Sequence, residues 1–194
     1  ENFNSATIPY MVFSRLFGDL SGSSKWIGGV LAPNGKIYAI PFNATQVLEI
    51  DPIAGTTTLI GDTYSGTYKW RGGVLAPNGK IYAIPYYAAQ VLEIDPIAGT
   101  TTLIGSTYSD SAKWIGGVLA PNGKIYAIPC GATQVLEIDP IAGTTTLIGS
   151  TYPDTAKWIG GVLAPNGKIY AIPFNATQVL EIDPIAGTTT LIGS

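Results

Sequence analysis

Pairs of acidic side chains recur along the chain, and their types and spacing could support acid and base chemistry. Glu49 and Asp51 lie two residues apart, and the same pair returns every 44 residues. Alternate residues of a strand share one face, so each pair could work as the two carboxylates of a glycosidase. A catalytic site is normally unique, however, and every pair here has a lysine, such as Lys36, within reach as a salt-bridge partner. We therefore interpret the pairs as a solvated strand face.

Residues for other kinds of catalysis are scarce. The 194-residue chain contains no histidine, which excludes imidazole bases and imidazole metal ligands. Its one cysteine, Cys130, forms no intramolecular disulfide and no zinc cluster, and it has no evident base beside it. We interpret Cys130 as a free thiol in a loop or as one half of an intermolecular disulfide. The sequence predicts a protein that is not an enzyme, with no catalytic residue, no metal and no cofactor.

Charge and hydropathy restrict the partners. The net charge is −3 and only 12% of the residues are charged, without a basic stripe that would bind nucleic acid. No run approaches the roughly 18 apolar residues of a membrane helix. The chain starts at Glu1 without an initiator Met, which favours removal of an upstream segment. We expect an extracellular or cell-surface protein with no nucleic-acid partner and no membrane insertion.

Four nearly identical copies of one sequence, WIGGVLAPNGKIYAIP followed by QVLEIDPIAGTTTLIG, make up most of the chain. Pro-Asn-Gly and Asp-Pro-Ile-Ala-Gly are turn sequences, and they separate four strand patterns in each copy. In the first copy these patterns span residues 28–32, 36–40, 46–51 and 56–60. Four strands per 44 residues are typical of a β-propeller blade, and the paired glycines suit its innermost strand.

The predicted fold is therefore all-β, a β-propeller of four four-stranded antiparallel blades with an extra N-terminal strand. Residues 1–24 form the extra strand and a partial repeat. The predicted blades span 25–68, 69–112, 113–156 and 157–194. Three arrangements accommodate the extra strand: a four-bladed ring with an accessory strand, which we favour, a partial fifth blade, or a strand exchanged with another molecule.

The repeat resembles those of the YVTN and NHL-like propellers of bacterial surface proteins. The shared features are the Pro-Asn-Gly-Lys-x-Tyr hairpin, the following Val-x-x-Ile-Asp strand and the Thr-rich strand after it. The resemblance covers about residues 25–194 and implies the propeller fold. It leaves the ligand open, because such propellers bind many different partners.

Differences between the copies fall on one predicted face. If the strands alternate in direction, the inter-blade links and the second-to-third-strand links lie on one face, and the invariant turns lie on the other. This pattern indicates either a binding face or drift in tolerant loops. Aromatic residues, Tyr68 among them, concentrate on the same face, where they would stack on sugars or contact a protein, although the tryptophans could instead pack between blades. The candidate ligand-binding residues are Trp26, Trp70, Trp114, Trp158, Arg71, Phe42, Tyr86, Tyr87, Phe174, Tyr64, Tyr108 and Tyr152.

Two links on this face contain glycosylation sequons, at Asn43 and Asn175. In a secreted eukaryotic protein these asparagines would be candidate glycan sites.

Two functions follow from these patterns. The first is a non-catalytic extracellular binding propeller, with a carbohydrate or protein partner on the variable face and several similar sites that raise avidity. The second is a structural protein that self-assembles into filaments or a matrix. In that hypothesis residues 7–17 pair with the Thr-rich outer strand of another molecule.

Overall fold

The computed structural model describes residues 20–193, so the predicted N-terminal strand, with its segment 7–17, lies outside the described residues. The described chain is all-β, and its strands form four antiparallel four-stranded sheets, the predicted blades. Blade 1 contains β1 (Trp26–Leu31), β2 (Ile37–Pro41), β3 (Val47–Asp51) and β4 (Thr56–Ile60); blade 2 contains β5 (Trp70–Leu75), β6 (Ile81–Pro85), β7 (Val91–Asp95) and β8 (Thr100–Ile104); blade 3 contains β9 (Trp114–Leu119), β10 (Ile125–Pro129), β11 (Val135–Asp139) and β12 (Thr144–Ile148); blade 4 contains β13 (Trp158–Leu163), β14 (Ile169–Pro173), β15 (Val179–Asp183) and β16 (Thr188–Ile192).

Local turn chemistry sets the strand order within each blade. In blade 1 the Asn34 side chain accepts a hydrogen bond from the Lys36 amide (3.1 Å), and Gly35 has a φ of 79°. Asp51 accepts hydrogen bonds from the amides of Ile53 (3.0 Å) and Ala54 (2.8 Å). Both are side-chain-stabilised turns of the kind that joins neighbouring antiparallel strands. The strands consequently pair in chain order, with the first innermost and the Thr-rich fourth at the outer edge.

The paired glycines allow the innermost strands to approach one another. A Cβ atom placed on Gly72 would lie 3.3 Å from the Cα of Gly116, and one on Gly116 would lie 3.3 Å from the Cα of Gly160. Both glycines also have positive φ, at a register shift in the first strand of their blades. A larger residue would push the blades apart and strain the backbone, so the glycines fix the close spacing at the axis.

Consecutive blades bury one another through two complementary faces. We call the face that a blade turns to the next one its trailing face, and the opposite face its leading face. Blade 1 contributes Tyr38, Ile40 and Val47 to its trailing face, and all three are fully buried. They pack on the leading face of blade 2, which includes Trp70 and Ile81. The same interface recurs between blades 2 and 3 and between blades 3 and 4.

The row of blades stays open at its two ends. Within residues 20–193, blades 4 and 1 form no interface comparable to the other three. Val162 and Ile172 on the trailing face of blade 4 are 61% and 50% exposed, and Leu31 on the leading face of blade 1 is 62% exposed. The favoured ring of four is therefore not closed by the described residues.

Candidate binding face

The two variable loops of each blade lie together at one end of the strands. The Tyr64 amide, in the link between blades 1 and 2, donates a hydrogen bond to the Thr45 carbonyl (2.8 Å) in the second-to-third link. The Lys69 amide likewise donates to the Phe42 carbonyl (2.9 Å). At the opposite end, Asn34 donates to the Pro96 carbonyl (3.1 Å), which joins the two kinds of invariant turn. The predicted separation into a variable loop face and an invariant turn face is confirmed.

Each blade has a cleft on the loop face. It lies between the inter-blade link, the first-strand tryptophan, the second-to-third link and a leucine of the fourth strand. The clefts of blades 1 and 2 each have a volume of about 350 Å3, and those of blades 3 and 4 about 180 and 230 Å3. In blade 2, the lining includes Thr63, Ser65, Thr67, Leu103 and Tyr87. Hydroxyl groups and apolar carbon therefore alternate within one open depression.

The tryptophans form the inner wall of the clefts and hold neighbouring blades together. Trp70, Trp114 and Trp158 are at most 2% exposed, whereas Trp26 at the open end of the row is partly exposed. The Trp70 indole N–H donates to the Gln90 carbonyl (2.9 Å). These indoles therefore present little surface to a ligand, as the packing interpretation predicts.

Three of the candidate tyrosines brace the same wall. Tyr64 meets the Trp70 ring edge to face, with centroids 5.1 Å apart, and its hydroxyl bonds Thr101 of the next blade (2.9 Å). Tyr108 and Tyr152 make the equivalent contacts in the following blades. The three rings remain partly exposed and line or border the clefts.

A buried lysine stabilises the loops around each of three clefts. Lys69, Lys113 and Lys157 are at most 4% exposed. The Lys157 ammonium donates to the carbonyls of Ala132 (2.9 Å) and Cys130 (3.1 Å) and also to that of Asp154. Burial lowers the pKa of all three lysines, and hydrogen bonds to carbonyl oxygens satisfy their ammonium groups. The Lys69 and Lys157 ammonium groups join an inter-blade link to the second-to-third link of the preceding blade, whereas that of Lys113 bonds the Asp110 carbonyl of its own link.

Blades 1 and 2 carry an aromatic cluster without a counterpart in blades 3 and 4. Phe42 contacts Tyr68 (centroids 5.0 Å apart), Tyr68 contacts Tyr87 (5.6 Å), and Tyr87 contacts Tyr86 (4.9 Å). The Arg71 guanidinium lies 5.4 Å from the centroid of Tyr86. Phe42 is buried, whereas Tyr68 and Tyr87 are 48% and 47% exposed and offer ring surface on the loop face.

The position of Tyr68 depends on backbone contacts. Its φ is 56°, a left-handed conformation that is uncommon for a bulky residue. The Asn43 side chain accepts a hydrogen bond from the Tyr68 amide (2.9 Å), and the Tyr68 carbonyl accepts one from Tyr87 (3.0 Å). These bonds hold the two exposed rings next to each other.

The three residues equivalent to Phe42 in the other blades have different surroundings. Tyr86 is partly buried beneath Tyr87, and Phe174 is 64% exposed because no blade covers it within the described chain. Cys130 is only 5% exposed, and burial raises the pKa of its thiol. Cys130 is therefore a free thiol in a loop, one of the two expected states, and its side chain packs inward where Phe42 does in blade 1.

The two sequon asparagines differ in exposure and in hydrogen bonding. Asn175 is exposed, while Asn43 is partly exposed and uses its side-chain oxygen to hold Tyr68. Glycosylation of either asparagine stays a prediction.

The repeated carboxylates form the predicted salt bridges with lysines. Lys36 pairs with Glu49 at 2.6 Å, and the Tyr38 hydroxyl lies 2.9 Å from the other oxygen of that carboxylate. Among residues 20–193, no group of three or more acidic, histidine or cysteine side chains is placed to hold a metal ion. The same residues include no helix of sufficient length and apolar character to cross a membrane.

Sequence analysis selected aromatic residues for the binding face and therefore missed two residues of each cleft. Leu103 and its copies lie on the outer strand at the cleft, and they are about 40–50% exposed. Gln90 and its copies line the clefts, and the Gln90 side chain donates to the Gly105 carbonyl (2.9 Å). Their signal in the sequence is a leucine directly after three threonines in the edge strand and a glutamine that never varies beside a variable link.

No protein-family model matches the chain, and no curated protein sequence does. Several solved structures share its fold. A streptogramin B lyase is 14% identical with a TM-score of 0.77, over 92% of this chain and 57% of its own. A catalytically inactive histidine-to-alanine virginiamycin B lyase from Staphylococcus aureus, with quinupristin, is 15% identical with a TM-score of 0.71, over 90% and 58%. An auxiliary nutrient binding protein from Bacteroides ovatus is 14% identical with a TM-score of 0.61, over 88% and 42%.

These similarities correct one expectation. The scarcity of catalytic residue types predicts a protein that is not an enzyme, and this prediction is contradicted, because solved structures that share the propeller fold include lyases. The histidine replaced in the inactive lyase has no counterpart in this histidine-free chain, so that residue's role does not carry over. The chain spans a little over half the length of both lyases. At these low identities the comparisons show the fold: the chain is a row of four β-propeller blades.

Proposed function

We propose that this chain is an extracellular binding propeller that takes carbohydrate in the repeated clefts of its loop face. The observation that carries the proposal is the recurrence of one cleft in all four blades, in the same place relative to the tryptophan and the leucine. A ligand with repeating units would contact several clefts at once, and weak single-site binding would then give useful avidity.

The chemistry of the blade 2 cleft favours a sugar. Thr63, Ser65 and Thr67 supply hydroxyl groups, no acidic side chain lines the cleft, and Lys69 is already engaged by carbonyl oxygens. Tyr87 supplies a half-exposed ring. Sugars present both hydroxyl groups and apolar C–H faces, and aromatic rings stack well on the latter. The nutrient-binding similarity supports a binding role for such a propeller.

Two finer predictions belong to this proposal. The first is membership of the YVTN and NHL-like group, which rests on the hairpin and strand motifs of the repeat. The second is an extracellular or cell-surface location, which rests on the two sequons and on the kind of ligand proposed.

The test is binding of the full chain to laminarin, xylan, mannan and chitin oligosaccharides, by affinity electrophoresis and then calorimetry. We expect one of these glycans to bind, and Tyr87→Ala to weaken its binding by about tenfold, or about 1.4 kcal/mol. Tyr68→Ala should have a similar effect, because the two rings adjoin.

The matched control is Ile97→Ala, which changes a side chain that is 93% exposed on the opposite, invariant turn face. It should leave glycan binding unchanged. Unchanged binding after both tyrosine substitutions would remove the aromatic cluster of blades 1 and 2 from the proposal. Absence of binding to all four glycans would contradict the carbohydrate class.

A further inference from the structure

The trailing face of blade 4 has the same composition as three faces that are already interfaces. Val162, Tyr170, Ile172 and Val179 occupy the positions that are buried or nearly so in blades 1 to 3. In blade 3 the equivalent Tyr126, Ile128 and Val135 are 0% exposed. In blade 4 Ile172 is half exposed, and Phe174 beside it is more exposed still.

Polar groups on this face also lack, within residues 20–193, the inter-blade acceptor that their equivalents in blades 1 to 3 contact. In blade 3 the Tyr126 hydroxyl and the Asn122 amide lie 3.2 and 3.1 Å from the Pro184 carbonyl of the next blade. Blades 1 and 2 repeat this arrangement with the carbonyls of Pro96 and Pro140. In blade 4, Asn166 and Tyr170 hydrogen bond only within the blade in the described structure.

Blade 1 carries the complementary groups at the other end of the row. Pro52 is the equivalent of the three acceptor prolines, and it is exposed where Pro96, Pro140 and Pro184 are buried. Leu31 is 62% exposed, whereas the equivalent Leu75 packs against the preceding blade. At the axis, a Cβ on Gly160 would have no described atom within 4 Å. In blades 1 to 3, the equivalent glycine lies close to the equivalent glycine of the next blade.

We propose that a second copy of this chain covers the trailing face of blade 4 with the leading face of its own blade 1. Pro52 of that copy would accept hydrogen bonds from Tyr170 and Asn166, and its Leu31 would cover Val162 and Ile172. The interface is already formed three times within one chain, so it requires no new complementarity.

The arrangement is reciprocal, and it closes into a ring when the four blades of each chain span half a turn. The first chain offers its leading face to the trailing face of the second, so two copies of four blades make one ring of eight. Contacts between unlike faces give a closed ring when the rotation returns to its start, and a filament when it does not. The chain spans 57% of the streptogramin B lyase, so two copies have slightly more than the length of that propeller.

The first experiment is the native mass of the full 194-residue chain, by light scattering and native mass spectrometry over a wide concentration range. The expected mass is twice the chain mass of 20.3 kDa. The proposal would be overturned if the chain stayed a folded monomer at all concentrations, whether residues 1–19 or no residues covered the trailing face of blade 4. Long polymers would overturn it as well, and they would favour the filament hypothesis.

Two substitutions at opposite ends of the row test the interface itself. Ile172→Arg places a charge on the trailing face of blade 4, and Leu31→Arg does so on the leading face of blade 1. Both side chains are at least half exposed in a single chain, so the variants should fold. Each should reduce the mass to that of one chain with an unchanged circular dichroism spectrum, because every ring contains two copies of the altered junction.

The control Ile53→Arg changes a side chain that is 92% exposed on the turn face, and it should remain dimeric. A mixture of the Ile172→Arg and Leu31→Arg chains retains one unaltered junction between unlike copies. It should form a heterodimer that neither variant forms alone and that dissociates at higher concentration than the wild-type pair. A dimer that persists in both single variants would show that the chain associates through another surface.

Discussion

The same pentapeptide, Ile-Tyr-Ala-Ile-Pro, lies in two different environments in blades 2 and 4. In β6 all five residues are buried, with Tyr82 and Ile84 at 0% exposure. In β14 the second residue is partly exposed, and the fourth, Ile172, is half exposed. Strand pairing within the blade is identical in the two cases. The difference shows that propensity and turn chemistry form the blade, while the neighbouring blade determines what is buried.

The largest effect should come from removing a trailing-face isoleucine inside the row. Ile84 packs against Gly117 of blade 3, where a Cβ would lie only 2.8 Å from the Ile84 Cδ1 atom. Ile84→Ala should lower the free energy of unfolding by about 2–5 kcal/mol, because it leaves a cavity in a close-packed interface. Urea denaturation followed by tryptophan fluorescence measures the change.

The matched variant Ile172→Ala should cost about 1 kcal/mol or less at low protein concentration, because half of the side chain is exposed. Its cost should grow with concentration if a second copy covers the face. Equal costs for the two variants in dilute solution would mean that the face of blade 4 is covered within its own chain.

A smaller difference is expected from the interface tyrosines. Tyr126→Phe removes a hydroxyl that bonds Glu137 (2.9 Å) and Pro184 (3.2 Å), and it leaves buried partners unsatisfied. The expected loss is about 1–3 kcal/mol. Tyr170→Phe removes only contacts within the blade and should cost less in the dilute chain. If thermal unfolding shows the reverse order, the inter-blade hydrogen bonds do not stabilise the row.

The buried tyrosines should also make stability depend on alkaline pH. Burial, with a contribution from Glu137, raises the pKa of Tyr126 to about 12, above its ordinary value of about 10. The folded state thus holds a proton that the unfolded state loses, and this stabilisation is present below pH 10 and lost as pH rises towards 12. Burial also raises the pKa of Tyr82.

Denaturation midpoints between pH 9 and 12 measure this loss. Salt-bridged lysines such as Lys124 contribute in the same direction, because Glu137 raises the lysine pKa. The Tyr126→Phe variant separates the two sources, and its stability should fall less steeply with pH than that of the wild type. An unchanged slope in that variant would assign the pH dependence to the lysines and to other buried tyrosines such as Tyr82.

Sequence reasoning predicted the local structure well, because that structure rests on local signals. The side chains of Asn34 and Asp51 stabilise the expected turns, and the strands begin and end within two residues of the predicted bounds. The antiparallel order then places the variable loops on one face. Both inferences need only chain direction and turn chemistry.

The sequence alone did not predict whether the row of blades closes into a ring, nor which aromatic residues are buried. The rotation between blades depends on how side chains such as Ile84 fill the space opposite Gly117. The repeated sequence does not predict that angle. A tryptophan buried between blades and one exposed on a loop look alike in a sequence. The pairing of Tyr68 with Tyr87 depends on a left-handed backbone that recurs at the equivalent Ser24, Ala112 and Ala156. At Tyr68 it is accompanied by a hydrogen bond to Asn43, a contact across 25 positions of the chain.

The near identity of the blades has a consequence for folding. Each strand pairs with its neighbour in sequence, and each blade contacts only the adjacent blades in the described chain. Folding of such a row can nucleate at any blade and spread in both directions, as in linear repeat proteins. Because the faces are interchangeable, a chain that skips a blade while folding would still form a well-matched interface. Refolding should therefore yield kinetically trapped species with looped-out blades, and altering one pair of faces should reduce them.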